Sequence, residues 1–288
     1  MADKRQQLTD QLNKLTQKDT CIAFSGGVDS SLLLKLISLA AKRNKTHVYA
    51  VTFDTVLHPK SDVQLAKKVA METGAEHHIL TIDELEQPEI RNNDKRRCYY
   101  CKKALFEKLI TFSADHGINT IIEGTNYDDL SQYRPGIQAV HELNIHSPLA
   151  QAKLTKEEIR RWAREIGLSV AERPATPCMA TRLPYGANVD LELLKKIELG
   201  EEFLRELGFA NVRLRVHNEI ARLEVNQEIL YDAILKKDEI IKKLKDLGFR
   251  YITLDLEGFR SGSMDEYSTY NNVLLTPRPC QEKNLDTT

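Results

Sequence analysis

Through the first half of the chain, short unbroken apolar runs alternate with longer stretches of helical period. Residues 4–18 place Leu8, Leu12 and Leu15 on one face and predict an amphipathic lead-in helix. Cys21-Ile22-Ala23-Phe24 is a buried run that stops abruptly at Ser25-Gly26-Gly27, before the leucine-rich helical segment Leu32–Ala41. His47–Phe53, rich in β-branched and aromatic residues, predicts a second strand. Ser61–Gly74 carries Val63, Ala66, Val69 and Ala70 at helical spacing and closes on glycine. Glu76–Ile82 predicts a third strand, Lys102–His116 a helix with Gly117 at its C-cap, and Thr120–Glu123 a fourth strand. Thr155–Gly167 predicts a helix opened by a capping box, Thr155 with Glu158 three residues on. Such alternation implies an α/β fold with a parallel, doubly wound sheet. Right-handed crossovers then put the strand ends on one rim, where open sheets of this kind bind ligands; Thr52, Phe53 and Asp54 fall there.

The texture changes after residue 170. Arg173–Gly186 is irregular, and its prolines Pro174, Pro177 and Pro184 exclude a helix or central strand. Leu191–Leu207 reads as a helix ended by Gly208, Asn211–Val216 and Ala221–Val225 as short alternating strands, Glu228–Leu247 as a helix and Tyr251–Leu256 as a strand. This order predicts a second, smaller α+β domain with an antiparallel sheet. Two Leu-Gly-Phe copies hint at a duplicated helix–strand unit. The expected division is 1–170, a cysteine-bearing linker loop at 171–189, the small domain at 190–270, and a polar tail at 271–288.

Composition narrows the function classes. The 288 residues are 41% hydrophobic and 29% charged with a net charge of −1, so no whole-protein field draws the chain to nucleic acid or anionic lipid. The polar start MADKRQQLTDQLNKL has no signal-peptide core and no apolar run approaches a membrane span, so a cytoplasmic protein without membrane or nucleic-acid partners is expected. Five cysteines in a reducing compartment argue for metal or catalytic use, not for a disulfide framework.

Three constellations carry candidate chemistry. The first is Cys21–Ser31, CIAFSGGVDSS, read as strand, tight loop and helix N-terminus. Gly26 and Gly27 permit positive φ and let an anion reach main-chain N–H groups, and the helix's first amides favour a phosphate. Ser25, Ser30 and Ser31 add hydroxyl donors, and Asp29 could hold Mg²⁺ or cap the helix. No Gly-Lys pair and no G-x-G-x-x-G occurs, so this is neither a Walker loop nor a dinucleotide fingerprint. The second is Cys98-x-x-Cys101, at a predicted helix N-terminus that favours thiolate, with Cys178 in the proline-rich loop. Structural zinc, a redox pair, an iron–sulfur cluster and three unrelated thiols all remain open on spacing alone. Cys21 reads as core and Cys280 as incidental. The third is Arg213 and Arg215, which share a strand face that suits a phosphate or carboxylate as well as cross-strand ion pairs.

The loop resembles the pyrophosphate loop, SGGxDS, of the ATP pyrophosphatase superfamily. Together with CYYC, EGTNYDD…YRPG, PCMATRLPYG, VRLRVHNEIARLEV and LDLEGFRSG, it is similar, over roughly residues 5–265, to the ATP-dependent sulfur transferases of nickel-pincer nucleotide biosynthesis. The resemblance implies a Rossmann-like nucleotide domain and a homo-oligomer. It implies a reaction that adenylates the carboxylates of pyridinium-3,5-biscarboxylic acid mononucleotide with ATP and Mg²⁺, then replaces them with thiocarboxylates. By the family pattern Ser25, Gly26, Gly27, Asp29, Ser30, Ser31, Phe53, Gly124 and Arg134 would bind ATP and pyrophosphate. Arg213, Arg215 and Arg182 would bind the substrate phosphate, and Glu201, Glu224 and Asp232 a divalent metal. Many members use one sacrificial cysteine in the PCMATR-like loop. With Cys98, Cys101 and Cys178 this chain looks like the branch whose three cysteines hold a [4Fe-4S] cluster that carries sulfide from a donor of unspecified identity. A tRNA thiolase of the same superfamily would use similar chemistry.

Overall fold

The structure of the chain, a computed structural model, describes residues 2–132, 134–174, 176–260 and 263–264. Tyr133, Ala175, Ser261, Gly262, Cys280 and the polar tail lie outside the described residues. Contacts divide the chain into two units. The first runs through Ala180 and includes Asn188–Leu191; the second holds Thr181–Ala187 and the described residues from Glu192 on.

The first unit contains α1 (Ala2–Leu15), β1 (Thr20–Ala23), α2 (Val28–Asn44), β2 (Val48–Thr55), α3 (Lys60–Thr73), β3 (Glu76–Ile82), α4 (Pro88–Arg91), α5 (Arg97–Asp115), β4 (Thr120–Ile122), α6 (Pro135–Glu142), α7 (Pro148–Gln151) and α8 (Lys156–Glu165). Its sheet has the order β3-β2-β1-β4, and every pairing is parallel. Both faces are covered, and the two-residue alternation of β1 shows how. Ile22 points into a core with Leu8, Leu12, Leu33, Ile37 and Trp162, whereas Cys21 points into another with Val51, Phe106, Leu109 and Val140. Cys21 is therefore core, as its place in an apolar run predicts, and burial pushes its thiol up to about 11. Thr155 and Glu158 form the expected reciprocal capping box at the head of α8.

The second unit contains α9 (Leu191–Glu206), β5 (Val212–His217), β6 (Ile220–Val225), α10 (Leu230–Leu235), α11 (Lys237–Asp246) and β7 (Tyr251–Leu254). Its sheet, β5-β6-β7, is mixed and not antiparallel throughout: β5 and β6 form an antiparallel hairpin, but β7 runs parallel to β6. The reason is the connection, since a helical crossover returns the chain in the same direction. The helix expected over 228–247 is also interrupted. Lys236 leaves helical geometry between α10 and α11 and turns its Nζ back to the Leu207 carbonyl.

Candidate active site

The glycine turn links β1 to α2. Gly26 has φ +69°, and a Cβ there would lie 3.0 Å from the Ala66 Cα of α3, so both conformation and space demand glycine. Gly27 is extended (φ −74°) and forms the N-cap, so only one of the two glycines uses the positive-φ region. Helix α2 starts at Val28, earlier than the leucine pattern predicts, which puts Asp29, Ser30 and Ser31 in its first turn. Ser25 Oγ lies 3.1 Å from Ser30 Oγ and accepts the Gly27 N–H at 3.3 Å. Asp29 does not cap the helix. Its Oδ2 pairs with Lys156 Nζ, while its buried Oδ1 has no hydrogen-bond partner. Burial raises the Asp29 carboxyl, and Lys156 opposes that rise. Ser31 is buried, and its Oγ makes no hydrogen bond.

Strand β4 delivers the next group. A Cβ on Gly124 would come within 3.1 Å of the Ser30 amide nitrogen, so this glycine lets the end of β4 lie against the head of α2. Just before it, Glu123 is buried and accepts from Thr125 N–H, Thr125 Oγ1, Ser147 Oγ and Lys102 Nζ. Burial alone would raise this carboxyl, but Lys102 and the hydroxyl donors outweigh it and hold it below its ordinary value. Arg134 reaches Asp129 at 3.0 Å and remains half exposed.

Cys98 and Cys101 lie inside the first turns of α5, which begins at Arg97 and not at Lys102. Arg96 stacks on Tyr99 at 4.8 Å, and Tyr99 hydroxyl donates to Glu142 at 2.7 Å, so the basic–aromatic stretch builds the turn itself. Gly136 of α6 packs on that turn, with an added Cβ 3.3 Å from the Cys98 carbonyl. Cys98 is exposed; Cys101 and Cys178 are half-buried. At Cys101 burial outweighs the helix start expected to favour thiolate. Burial pushes Cys101 well above its ordinary value and Cys178 up to about 11, despite Lys102 and Arg97.

One cavity of about 510 Å³ brings these groups together. Its wall includes Ser25, Asp29 and Ser30 of the glycine turn, then Phe53, Gly124 and Arg134, and then all three of Cys98, Cys101 and Cys178. That volume suits a nucleotide-sized ligand. Among the described residues no group of three or more His, Cys, Asp or Glu is arranged as a metal-ligand set, so the three thiols share a wall without closing a coordination shell. Sequence reasoning missed Lys102, Glu123, His58 and Arg97, which also line the cavity. A buried acid at the carboxyl end of a strand, as at Glu123, was the available signal.

The second unit holds the other expected residues. Arg215 is buried and pairs with Glu224 at 3.0 Å. Arg213 is also buried and lies over the Phe259 ring at 5.1 Å. Burial, with Arg182 and Arg215 nearby, brings the Arg213 guanidinium down to about 10. Arg182 makes a two-pronged ion pair with Glu201 at 2.8 and 2.9 Å. The acidic trio expected to take a divalent metal is not assembled. Arg182 and Arg205 occupy both Glu201 oxygens, Arg215 and Arg222 share Glu224 Oε1, and Asp232 lines a separate recess with Leu207, Phe209 and Lys236. Guanidinium groups take both Glu201 oxygens and one of the Glu224 pair, while the buried Glu224 Oε2 makes no hydrogen bond.

A parallel sheet whose glycine turn and cysteines open on one cavity at the strand ends defines an ATP-utilising α/β enzyme of the pyrophosphate-loop class. A family model described as asparagine synthase matches residues 4–92. The pyridinium-3,5-bisthiocarboxylic acid mononucleotide synthase of Lactiplantibacillus plantarum is 36% identical over 248 residues, which cover 86% of this chain and 89% of that protein. An uncharacterised protein of Synechocystis is 35% identical over 86% of this chain and 92% of its own length. A 7-cyano-7-deazaguanine synthase of Clostridium botulinum is 29% identical over 57% of this chain and 86% of its own. The chain belongs to the family of the Lactiplantibacillus synthase, the ATP-dependent sulfur transferases of nickel-pincer cofactor biosynthesis. Among the described residues no helix is long and apolar enough to cross a membrane.

Proposed function

We propose that this enzyme activates the carboxylates of pyridinium-3,5-biscarboxylic acid mononucleotide as acyl adenylates and converts them to thiocarboxylates. The observation that carries this reading is the shared cavity, lined both by Ser25, Asp29 and Ser30 around the glycine turn and by the three thiols; Gly26, Gly27 and Ser31 do not themselves line it. A carboxylate is a poor electrophile because oxide is a poor leaving group. Transfer of AMP to it makes a mixed anhydride whose AMP leaves readily when sulfur attacks. Main-chain N–H groups at the head of α2, with Ser25 and Ser30, hold the departing pyrophosphate. Asp29, whose buried Oδ1 makes no hydrogen bond, would hold the accompanying Mg²⁺. Lys102 and Arg134 neutralise phosphate charge from the cavity wall. Arg213 and Arg215 are the candidate anchors for the substrate phosphate.

Cys98, Cys101 and Cys178 supply the sulfur side. Their number, chemistry and common cavity suit a [4Fe-4S] cluster on three thiolates, which when bound supplies an iron open to sulfide. The test pairs two assays: pyrophosphate release with the pyridinium mononucleotide, and iron with acid-labile sulfide on anaerobically purified protein. Release that depends on the mononucleotide, with both elements present, is expected. Release only with tRNA overturns the substrate reading. Absence of iron and sulfide, with Cys178 losing the mass of hydrogen sulfide, makes Cys178 a sacrificial donor instead.

A further inference from the structure

Cys178 immediately precedes a short 3-10 turn, Met179–Arg182, and the first two residues of that turn are tied down by buried polar groups. Asn93, just beyond α4, is fully buried at φ +48°, and its Nδ2 donates to the Ala180 carbonyl at 3.3 Å. On the other side the Met179 N–H donates to the Leu57 carbonyl at 2.9 Å. The Leu57 turn is itself held by Glu84, whose carboxylate accepts the Leu57 and Val56 N–H groups at 3.1 and 3.2 Å. Glu84 is 1% exposed. A carboxylate and an amide are costly to bury, and apolar side chains would pack those places more cheaply. Both are therefore placed for what they hold. They reach the same short stretch from different elements, one directly and one through the turn after β2.

We propose that Glu84 and Asn93 are positioning residues for the Cys178 thiol, a two-sided brace that fixes it on the cavity wall shared with Cys98 and Cys101. The proposal rests on the reading in which these three thiols act together. The brace anchors the short 3-10 turn that starts at Met179, since the prolines around Cys178 keep it out of a longer helix or a strand. Without it, Cys178 would sample many positions, and a constellation that must act on one acyl group would lose its register.

The test is differential alkylation of the full metal-free chain, read thiol by thiol by mass spectrometry, with Cys98 as internal reference. Asn93→Gly keeps the positive φ and removes the brace without changing charge. It should speed labelling of Cys178 about five- to tenfold, with Cys98 and Cys101 unchanged. Glu84→Gln removes a negative charge that acts on both Cys101 and Cys178, so electrostatics alone would speed both. A larger gain at Cys178 than at Cys101 marks loss of position. Cys178-to-Cys98 ratios within about twofold of the unmodified chain in both variants overturn the proposal. Should either variant fail to fold, amide exchange in the unmodified chain decides: a Met179 N–H that exchanges at the unprotected rate sinks the brace. Labelling needs no ATP and no substrate, so its result stands apart from any failure of the sulfur-transfer reading.

Discussion

Lys102 Nζ lies 3.0 Å from Glu123 Oε2, a pair that ties the helix carrying Cys101 to the strand end that touches the glycine turn. The pair links the two halves of the cavity through one ion pair, with Glu123 almost fully buried and Lys102 partly open to the cavity. Removing the lysine strands a desolvated carboxylate. Lys102→Met should destabilise the fold by about 3 kcal/mol, measured by urea unfolding. The double change Lys102→Met with Glu123→Leu should recover much of that stability while leaving ATP affinity low.

The same pair gives a pH dependence. The Glu123 carboxyl lies below its ordinary value of 4.5 in the folded chain. Its contribution is present above pH 4.5 and is lost as the pH falls through the lowered folded value. Glu123→Gln should flatten this part of the acid-unfolding profile and lower stability near neutrality, checked by unfolding midpoints across that range.

Gly26 and Gly74 both have positive φ, but a Cβ meets the α3 backbone only at Gly26. Gly74→Ala should cost about 1 kcal/mol of stability and leave nucleotide binding intact. Gly26→Ala should weaken ATP binding by at least about tenfold, because the turn must move to relieve both strain and contact. Calorimetric titration with ATP, alongside thermal unfolding, separates the two.

Glu201 is fully buried beneath Arg182 and Arg205. Glu201→Ala should cost about 3–5 kcal/mol, since it leaves the buried Arg182 guanidinium without its carboxylate. The paired change Arg182→Met with Glu201→Leu should restore most of that loss. Denaturant titration of the full chain provides the comparison, and added divalent metal should not rescue the single variant.

In the metal-free chain Cys98 should alkylate faster than Cys178 at neutral pH. Burial holds the Cys178 thiol near 11, so its labelling should keep rising as the pH passes 9. A plateau for Cys178 below pH 9, read by mass spectrometry, would contradict this.

Much of this was legible from residue order. The runs at Cys21, His47, Glu76 and Thr120 became the four strands; the central β1 and most of β2 are buried and read as near-continuous apolar runs, whereas the edge strand β3 is half exposed and more polar. The capping box at Thr155 was readable for a local reason, as both partners lie within one turn. Right-handed crossovers placed the strand ends on one rim with the glycine turn, but that Cys178 joins Cys98 and Cys101 on the same cavity was expected from the chemistry and not from the topology. Less local facts were hidden. The parallel pairing of β7 depends on a crossover path, and the break at Lys236 on a carbonyl some thirty residues upstream. Nothing in the sequence shows that Arg182 and Glu201, nineteen residues apart, pair with each other at 2.8 Å.

A mixed anhydride of a carboxylic acid and AMP is short-lived in water. Since Ser30 and Cys178 line the same cavity, such a species, on the reading proposed above, need not diffuse into bulk solvent between its formation and its capture by sulfur. The architecture thereby sets a kinetic requirement: capture by sulfur has only to outrun the water admitted to a single chamber.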